Sequence, residues 1–480
     1  MARSKRLLIL AVVLLVACGA AFAALNWQQR QERIAVSGEE VLTIDPDSVR
    51  SLAWTYGETS LAFTRDGEGN WTYDADAAFP VDPAAMEELL APFAPFSAAF
   101  VIDEVEDEGQ YGLDDPACSI TLVTEDQTWE IRLGDTSAVD GQRYVSFGAG
   151  TVYLAASDPL EQYDATLRSC ILNDAVPDWD QVTGLTFSGA EDYEIFWQED
   201  GSAYSCCEED AYFTDRGGDT LPLDTGRVED YLSALSTLGL TNYVTYNATQ
   251  EELAQYGLDD PELTVAVDYA GEDADGEETS GTFTLHLSRD PEELAQAEEA
   301  AGDEETGDEE ETITAYARVG DSPIVYSITS LEYTDLRAAA YDDLRHREVL
   351  TASFDDVTAL DVTLEGETYT FTAQGAGDDR TWTWEGREID FADLQDAVET
   401  LAASEFTEEP PAGQQEISLV VHLDNETFPQ VEVTLYRRDG TSCLAVVDGE
   451  SVCLVDRADA VDLMEAVRAV VLADYEEDEA

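Results

Sequence analysis

Apolar and polar residues alternate along most of this chain in short runs of the kind that form half-buried strands. Leu52–Tyr56 and Leu61–Thr64 follow that pattern, Asp66-Gly67-Glu68-Gly69-Asn70 reads as a turn, and Trp71-Thr72-Tyr73 returns. The period then changes. After Pro80-Val81-Asp82, the residues Met86, Leu89, Leu90 and Phe93 recur at helical spacing. Strand-like runs resume at Ser119–Val123, Thr128–Leu133, Arg143–Phe147 and Thr151–Ala155, and a helix-like stretch, Leu160–Leu172, closes the unit.

The same order recurs twice. In the second pass Leu185–Phe187, Tyr193–Gln198 and Ala211–Phe213 precede Leu223-Asp224 and a helical series of Val228, Tyr231, Leu232, Leu235 and Leu238. Strands follow at Leu263–Tyr269 and Thr282–Leu287, and a helix is expected over Leu331–Leu350. In the third pass Ala359–Leu364, Thr368–Thr372 and Trp382-Thr383-Trp384 precede Ile389-Asp390, then Phe391, Leu394, Val398 and Leu401.

The helix starts support a true repeat. Asp82, Asp224 and Asp390 can each accept hydrogen bonds from the free N–H groups that open a helix. Val81, Leu223 or Ile389 stands just before each, and Met86, Val228 or Leu394 four residues after, which is the spacing of a hydrophobic staple.

One hexapeptide, Tyr-Gly-Leu-Asp-Asp-Pro, occurs at Tyr111–Pro116 and at Tyr256–Pro261, 256 − 111 = 145 residues apart. Glu251–Tyr256 reads as a short helix, Gly257 suits the left-handed residue that ends one, and Asp260 before Pro261 is pushed into extended backbone. The motif is therefore read as a helix stop and strand start, with Leu258 in the core. The third pass has Glu408-Glu409-Pro410-Pro411 in its place.

These patterns predict an α+β protein: tandem repeated modules of antiparallel β-sheet with packed helices, after an N-terminal transmembrane helix. The divisions expected are a cytoplasmic N-terminus (1–6), an anchor (7–27), a linker (28–46), module 1 (47–174), module 2 (175–350), a diverged module 3 (351–474) and an acidic tail (475–480). Module 2 carries an acidic low-complexity insertion, 290–311, expected to be a disordered loop.

The anchor follows from charge. Arg3, Lys5 and Arg6 precede an apolar run, Leu7–Leu25, that is long enough to cross a bilayer as a helix, with Trp27 at the interface. The basic flank should stay cytoplasmic, which places the modules outside. Two alternatives remain: Leu15-Val16-Ala17-Cys18 fits a lipobox, making the protein a lipoprotein through Cys18, and Ala21-Phe22-Ala23 fits a cleavage site.

The 480 residues carry 105 Asp+Glu against 23 Lys+Arg, a net charge of −82, and Lys5 is the sole lysine. Such a surface repels phosphates and anionic headgroups, so nucleic acid is excluded as a partner, while basic partners or divalent cations remain open. A genome-wide acidic bias accounts for the same numbers.

Candidate chemistry is sparse. His286 falls in a strand, His346 in the Arg-rich end of a helix and His422 in a strand, with no metal-ligand spacing among them. The Asp66–Asn70 turn offers oxygens at alternate positions but lacks the full calcium loop. Trp382 and Trp384 share one face of a strand and could serve as a stacking platform or as core. Asn70-Trp71-Thr72, Asn247-Ala248-Thr249 and Asn425-Glu426-Thr427 match glycosylation acceptors. Cys443 and Cys453 flank a hairpin turn and could face each other, whereas Cys206-Cys207 are expected to be reduced. No catalytic, cofactor-binding or metal-binding residue stands out, so no cofactor is expected.

With Gly69-Asn70-Trp71, Pro80–Phe93 and Tyr111–Pro116 assembled, and the second set Leu221–Leu238 and Tyr256–Pro261, the chain resembles the domain of unknown function 4340 family. The resemblance spans most of 47–350 and, more weakly, 354–472. It implies a membrane-anchored bacterial protein of the cell envelope, in a family often encoded beside ABC transporters of the gliding-motility type, and it carries no catalytic residues. The function expected is therefore non-enzymatic: an extracytoplasmic accessory or scaffold protein whose partners are ABC transporter subunits or other envelope proteins. The alternative is an extracellular binding module for an envelope polymer, peptide or divalent cation.

Overall fold

A computed structural model describes residues 38–138, 141–272, 278–300, 313–375 and 380–473. The expected cytoplasmic N-terminus, anchor, lipobox cysteine, most of the linker and the acidic tail lie outside these residues. Among the described residues no helix is long and apolar enough to cross a membrane. The chain divides into two compact units, one ending at Asp174 and one beginning at Ala175.

The first unit holds one nine-stranded sheet. Its strands are β1 (Glu39–Leu42), β2 (Val49–Tyr56), β3 (Thr59–Arg65), β4 (Trp71–Tyr73), β5 (Phe96–Ile102), β6 (Cys118–Thr124), β7 (Thr128–Thr136), β8 (Arg143–Ser146) and β9 (Val152–Ala155). They lie in the order β1-β5-β9-β8-β7-β6-β2-β3-β4. Leu52 faces Leu122 and Trp54 faces Ile120 across the central antiparallel pair, and all four are buried. Helix α1 (Pro83–Leu90) and the short α2 (Leu160–Tyr163) belong to this core: the Tyr163 hydroxyl donates to the Leu89 carbonyl at 2.6 Å, and its ring meets Trp54 edge-on.

The second unit holds two further nine-stranded sheets. One comprises β10 (Gln181–Gly189), β11 (Tyr193–Trp197), β12 (Tyr212–Arg216), β13 (Asp219–Pro222), β14 (Tyr243–Thr245), β15 (Leu263–Glu272), β16 (Glu278–Arg289), β17 (Ala315–Val319) and β18 (Val325–Ile328). The other comprises β19 (Val357–Leu364), β20 (Glu367–Gln374), β21 (Thr381–Trp384), β22 (Arg387–Ile389), β23 (Ala403–Phe406), β24 (Gln415–Leu423), β25 (Gln430–Arg437), β26 (Ser442–Val447) and β27 (Glu450–Asp456). Their orders are β13-β12-β11-β10-β15-β16-β17-β18-β14 and β22-β21-β20-β19-β24-β25-β26-β27-β23. The two arrangements are the same strand for strand. The first sheet differs only at its edges, where it lacks the counterpart of β13 and β22 and adds β1.

Each sheet buries the alternating apolar face that its sequence supplies. In β24, Ile417, Leu419, Val421 and Leu423 are buried while their neighbours are partly exposed. Helices α8 (Ala392–Glu399) and α9 (Arg457–Leu472) complete this core through Leu394, Val398, Leu463 and Val467. In the middle module α3 (Thr225–Ser236) and α6 (Ser330–Arg337) do the same, and the Tyr231 hydroxyl donates to the Leu336 carbonyl at 3.2 Å.

The helix starts follow expectation at two places of three. Asp82 accepts from the Ala84 N–H and Asp224 from the Arg227 N–H. At the third, Phe391 is the residue that opens α8, and Asp390 makes only a local 3.3 Å bond from the Ala392 N–H. The helix start is shifted by one residue, and Phe391, now at that start, stacks on Trp382 at 3.9 Å. The staple pairs Val81 and Met86, Leu223 and Val228, and Ile389 and Leu394 are buried in all three.

Three expectations are corrected. The helix expected over Leu331–Leu350 is broken into α6 and the single turn α7 (Tyr341–Leu344), with Ala338 off helical geometry and Ala340 extended. Likewise Leu160–Leu172 forms only α2 and a 3-10 turn, Leu167–Cys170. Finally, the acidic insertion starts as a helix, α5 (Pro291–Ala300), where a disordered loop was expected. Asp290 accepts from the Glu292 and Glu293 N–H groups, and a proline sits in the first turn, so local capping overrides the unfavourable charge density. Residues 301–312 lie outside the described residues.

Candidate functional site

The repeated hexapeptide is the first place to look for function, and both copies are built as punctuation. In the first, a 3-10 turn, Glu108–Tyr111, ends at Gly112 with φ 69°, and Leu113 is fully buried. In the second, α4 (Gln250–Gln255) starts with a reciprocal Thr249–Glu252 capping box and ends before Gly257 at φ +72°. Leu258 packs with Leu253 and Val325. Each tyrosine leans on a tyrosine of its own sheet: Tyr111 on Tyr144, and Tyr256 on Tyr316.

Other candidates are consumed in the same way. The Asp66 carboxylate accepts from the Glu68 and Asn70 N–H groups and from the Asn70 side chain, which makes Asp66–Asn70 a self-satisfied hairpin turn. Those bonds hold the Asp66 carboxyl below its ordinary pKa. Trp382 is buried against Phe391, and Trp384 packs half-buried on the same core, so these rings form no open platform. The Asn425 side chain accepts from the Thr427 and Phe428 N–H groups of its own turn. His286 bonds the Thr264 hydroxyl at 2.9 Å, and His422 bonds Asp361 at 2.9 Å on the outer face of β24.

His346 is different. The break after α6 carries it out of a helix and into an extended segment between the second and third modules. That segment pairs forward with the third module: the Val349 N–H donates to the Leu401 carbonyl, the Ala403 N–H to the Arg347 carbonyl, and Glu348 bridges Ala402. It also passes the start of α3, where the Asp224 N–H donates to the Leu344 carbonyl. Beside it, Arg345 lies over the Phe406 ring at 4.1 Å and the Tyr341 ring at 4.9 Å, a cation–π clamp across the same seam.

Around the imidazole stand three carboxylates. Nε2 is 2.8 Å from Oδ1 of Asp210, whose side chain is 1% exposed. Nδ1 is 3.8 Å from Oε2 of Glu348 and 4.0 Å from Oδ2 of Asp224. Asp210 also accepts from the Ser205 hydroxyl at 2.6 Å. Burial alone lowers the His346 pKa, but the hydrogen bond and charge of Asp210, joined by Asp224 and Glu348, outweigh it and raise the value above the ordinary histidine range.

The order of these groups limits what they do. A hydrolytic triad needs its hydroxyl on the imidazole, whereas Ser205 bonds the far side of the carboxylate. The nearest thiols are poor nucleophiles: burial pushes Cys207 up to about 11 and raises Cys206 as well. The anchored imidazole instead faces two carboxylates, three ligand atoms within 4.8 Å of one another, a donor set able to take a cation. No residue spacing signals it, because Asp210 and Asp224 stand more than a hundred residues before His346. The one available hint was a rare histidine among Arg345, Arg347 and Glu348 at a module end.

The first module lacks the set. There the Leu172 N–H donates to the Pro80 carbonyl and the Asp82 N–H to the Cys170 carbonyl, so the place taken by His346 falls on Leu172, which is 52% exposed.

The family model for the domain of unknown function DUF4340 matches residues 71–248 and again 216–416. The chain belongs to this family. The two matches begin at Trp71 and Arg216, the same interval apart as the two hexapeptides, and each starts in the hairpin that precedes a capped helix. Neither a curated protein nor a solved structure matches the chain.

Proposed function

We propose that this DUF4340 chain is a non-enzymatic, membrane-anchored accessory or scaffold protein acting outside the cytoplasm, with ABC transporter subunits or other envelope proteins as its partners. The observation that carries the reading is one order of eight strands shared in tandem by three sheets. Tandem modules multiply contact surface, and apart from the His346 cluster the candidate side chains described above are committed to turns, caps and cores. The uncharged run Leu7–Leu25 behind Arg3, Lys5 and Arg6 supports attachment with the modules outside. A net charge of −82 favours basic protein surfaces over phosphates.

The test is crosslinking of the full chain in its native membranes followed by purification. Enrichment of transporter subunits over an unrelated membrane protein is the expected result, and recovery of no membrane partner overturns the reading. Protease added to intact cells, with the outer envelope permeabilised where there is one, should remove the modules; full protection would overturn the orientation.

A second reading, an extracellular binding module, loses its aromatic version because Trp382 is core. Its cation version gains support from the cluster around His346.

A further inference from the structure

We propose that His346, Asp224 and Glu348 form a binding site for one divalent transition-metal ion of the zinc class, at the seam between the second and third modules. The inference deepens the cation form of the second reading and is independent of the scaffold reading: a failed partner search would leave it standing.

Geometry comes first. Nδ1 of His346, a carboxylate oxygen of Asp224 and one of Glu348 lie within 4.8 Å of one another. Metal–ligand bonds of about 2.0–2.2 Å place tetrahedral ligands roughly 3.4 Å apart. Small side-chain rotations from the 3.8 and 4.0 Å separations reach that spacing.

The imidazole is also prepared for the task. Asp210, buried and itself held by Ser205, accepts a hydrogen bond from Nε2–H, which turns Nδ1 to the side where Asp224 and Glu348 stand. An orienting carboxylate behind a ligating histidine is the usual outer support of a metal site. Asp224 keeps Oδ1 for the Arg227 N–H at the helix start, and Oδ2, which also meets the Arg227 guanidinium, is the atom nearer the imidazole.

Charge decides the sign of the ligand. A metal at Nδ1 displaces any proton the imidazole carries there, and three carboxylates then stand against the Arg227 guanidinium, which lies 3.2 Å from Asp224 Oδ2. Two negative charges are left uncompensated, enough for one divalent cation. The start of α3 opposes a cation with the equivalent of roughly half a charge, a smaller term. One nitrogen and two oxygens suit zinc, cobalt or manganese better than magnesium or calcium, which prefer all-oxygen sites.

The consequence is mechanical. Asp224 belongs to the second module's helix, and Glu348 sits on the strand that pairs with Ala402 of the third. A shared ion ties the two together and stabilises the folded form by mass action.

The experiment titrates the full-length protein with Co²⁺ and then Zn²⁺, in high salt with excess Mg²⁺ and Ca²⁺ to occupy the acidic surface. One equivalent of Co²⁺ should give a visible d–d band, lost on adding Zn²⁺, and Zn²⁺ should raise the melting temperature. Glu348→Gln, a change at a half-exposed side chain, should weaken Zn²⁺ binding at least tenfold, and His346→Ala should abolish the band. Asp210→Asn, which removes only the positioning carboxylate, should weaken binding by about 10–100-fold while keeping the band. His422→Gln, on the outer face of the third sheet, should bind as the parent does. Equal Co²⁺ spectra and Zn²⁺ affinities for the parent and Glu348→Gln, or the absence of any band in the parent, would overturn the site.

Discussion

Tyr256 leans on Tyr316 with 4.7 Å between ring centroids, and in the first module Tyr111 meets Tyr144 at 4.8 Å. In both, the glycine that follows the motif tyrosine has a positive φ, so the ring contact and the left-handed residue form one device that turns the chain from a helical turn toward a strand. The two glycines differ in their surroundings. A Cβ on Gly112 would lie 2.6 Å from Cγ of Asp135 and 2.9 Å from the Asp135 backbone nitrogen, whereas one on Gly257 would first meet atoms at 3.2 Å.

Gly257→Ala should therefore cost about 1–2 kcal/mol, the conformational penalty plus a small give of the Pro291 and Ser288 side chains. Gly112→Ala should cost roughly 2–4 kcal/mol, because backbone must move as well. Denaturant titration of each variant checks the order. Equal costs at the two sites would contradict the account.

Trp382 tests whether the third module's tryptophans are core or contact surface. It is 6% exposed and stacked on Phe391, with Phe354 alongside. Trp382→Ala should destabilise by about 3–5 kcal/mol, as large aromatic deletions in cores do. Trp384→Ala, at a half-buried position, should cost less. Soluble envelope glycans should leave the tryptophan fluorescence of the parent protein unchanged. A glycan-induced shift lost in Trp382→Ala, with stability intact, would restore the platform idea.

The repeat was legible because its signals are local. Staples at Val81, Leu223 and Ile389 and glycines at Gly112 and Gly257 act within a few residues, so spacing along the chain carries them. The strand order was not legible, since pairing of β2 with β6 or β19 with β24 joins distant segments by alternation that many strands share. The Asp390 start was misplaced by one residue, at a place where Phe391 also stacks on Trp382, a tertiary contact that local spacing does not carry. The His346 cluster was missed for a similar reason. It exists only where the closing segment of one module crosses a helix start, and Leu172 shows that the same crossing in the first module needs no histidine.

His286 gives a pH dependence of known sign. It sits on β16 with Arg318 directly opposite on β17, with Thr264 at its ring and Asp321 nearby. Burial, then the Arg318 charge, lower its pKa below the ordinary histidine value, and Asp321 offsets them only in part. The unfolded chain therefore binds more protons here than the folded one, and stability must rise with pH across this window. The contribution is complete above an unfolded pKa of about 6.5 and is lost as pH falls through that value toward the lower folded one. His286→Gln should flatten this limb of the stability–pH curve, measured by melting temperature from pH 5 to 8. An unchanged limb would show that His286 titrates alike in both states.

Cys443 and Cys453 should remain free thiols even in an oxidising compartment. They flank the β26–β27 hairpin as the sequence suggested, but the register sets Cys443 opposite Val455 and Cys453 opposite Ala445. The two are diagonal neighbours, and both are buried and unbridged. Burial pushes Cys443 up to about 12 and Cys453 up to about 11, so neither supplies much thiolate to attack an oxidant or a partner disulfide. Setting the pair directly opposite would require a two-residue slip that pulls Cys443 off Val455 and Cys453 off Ala445, against a register that the hairpin turn fixes. Alkylation of the native protein should be slow at both positions and become complete only on unfolding. Mass spectrometry of the purified protein after mild oxidation should then recover both as single thiols, and a crosslinked 443–453 peptide would overturn the register.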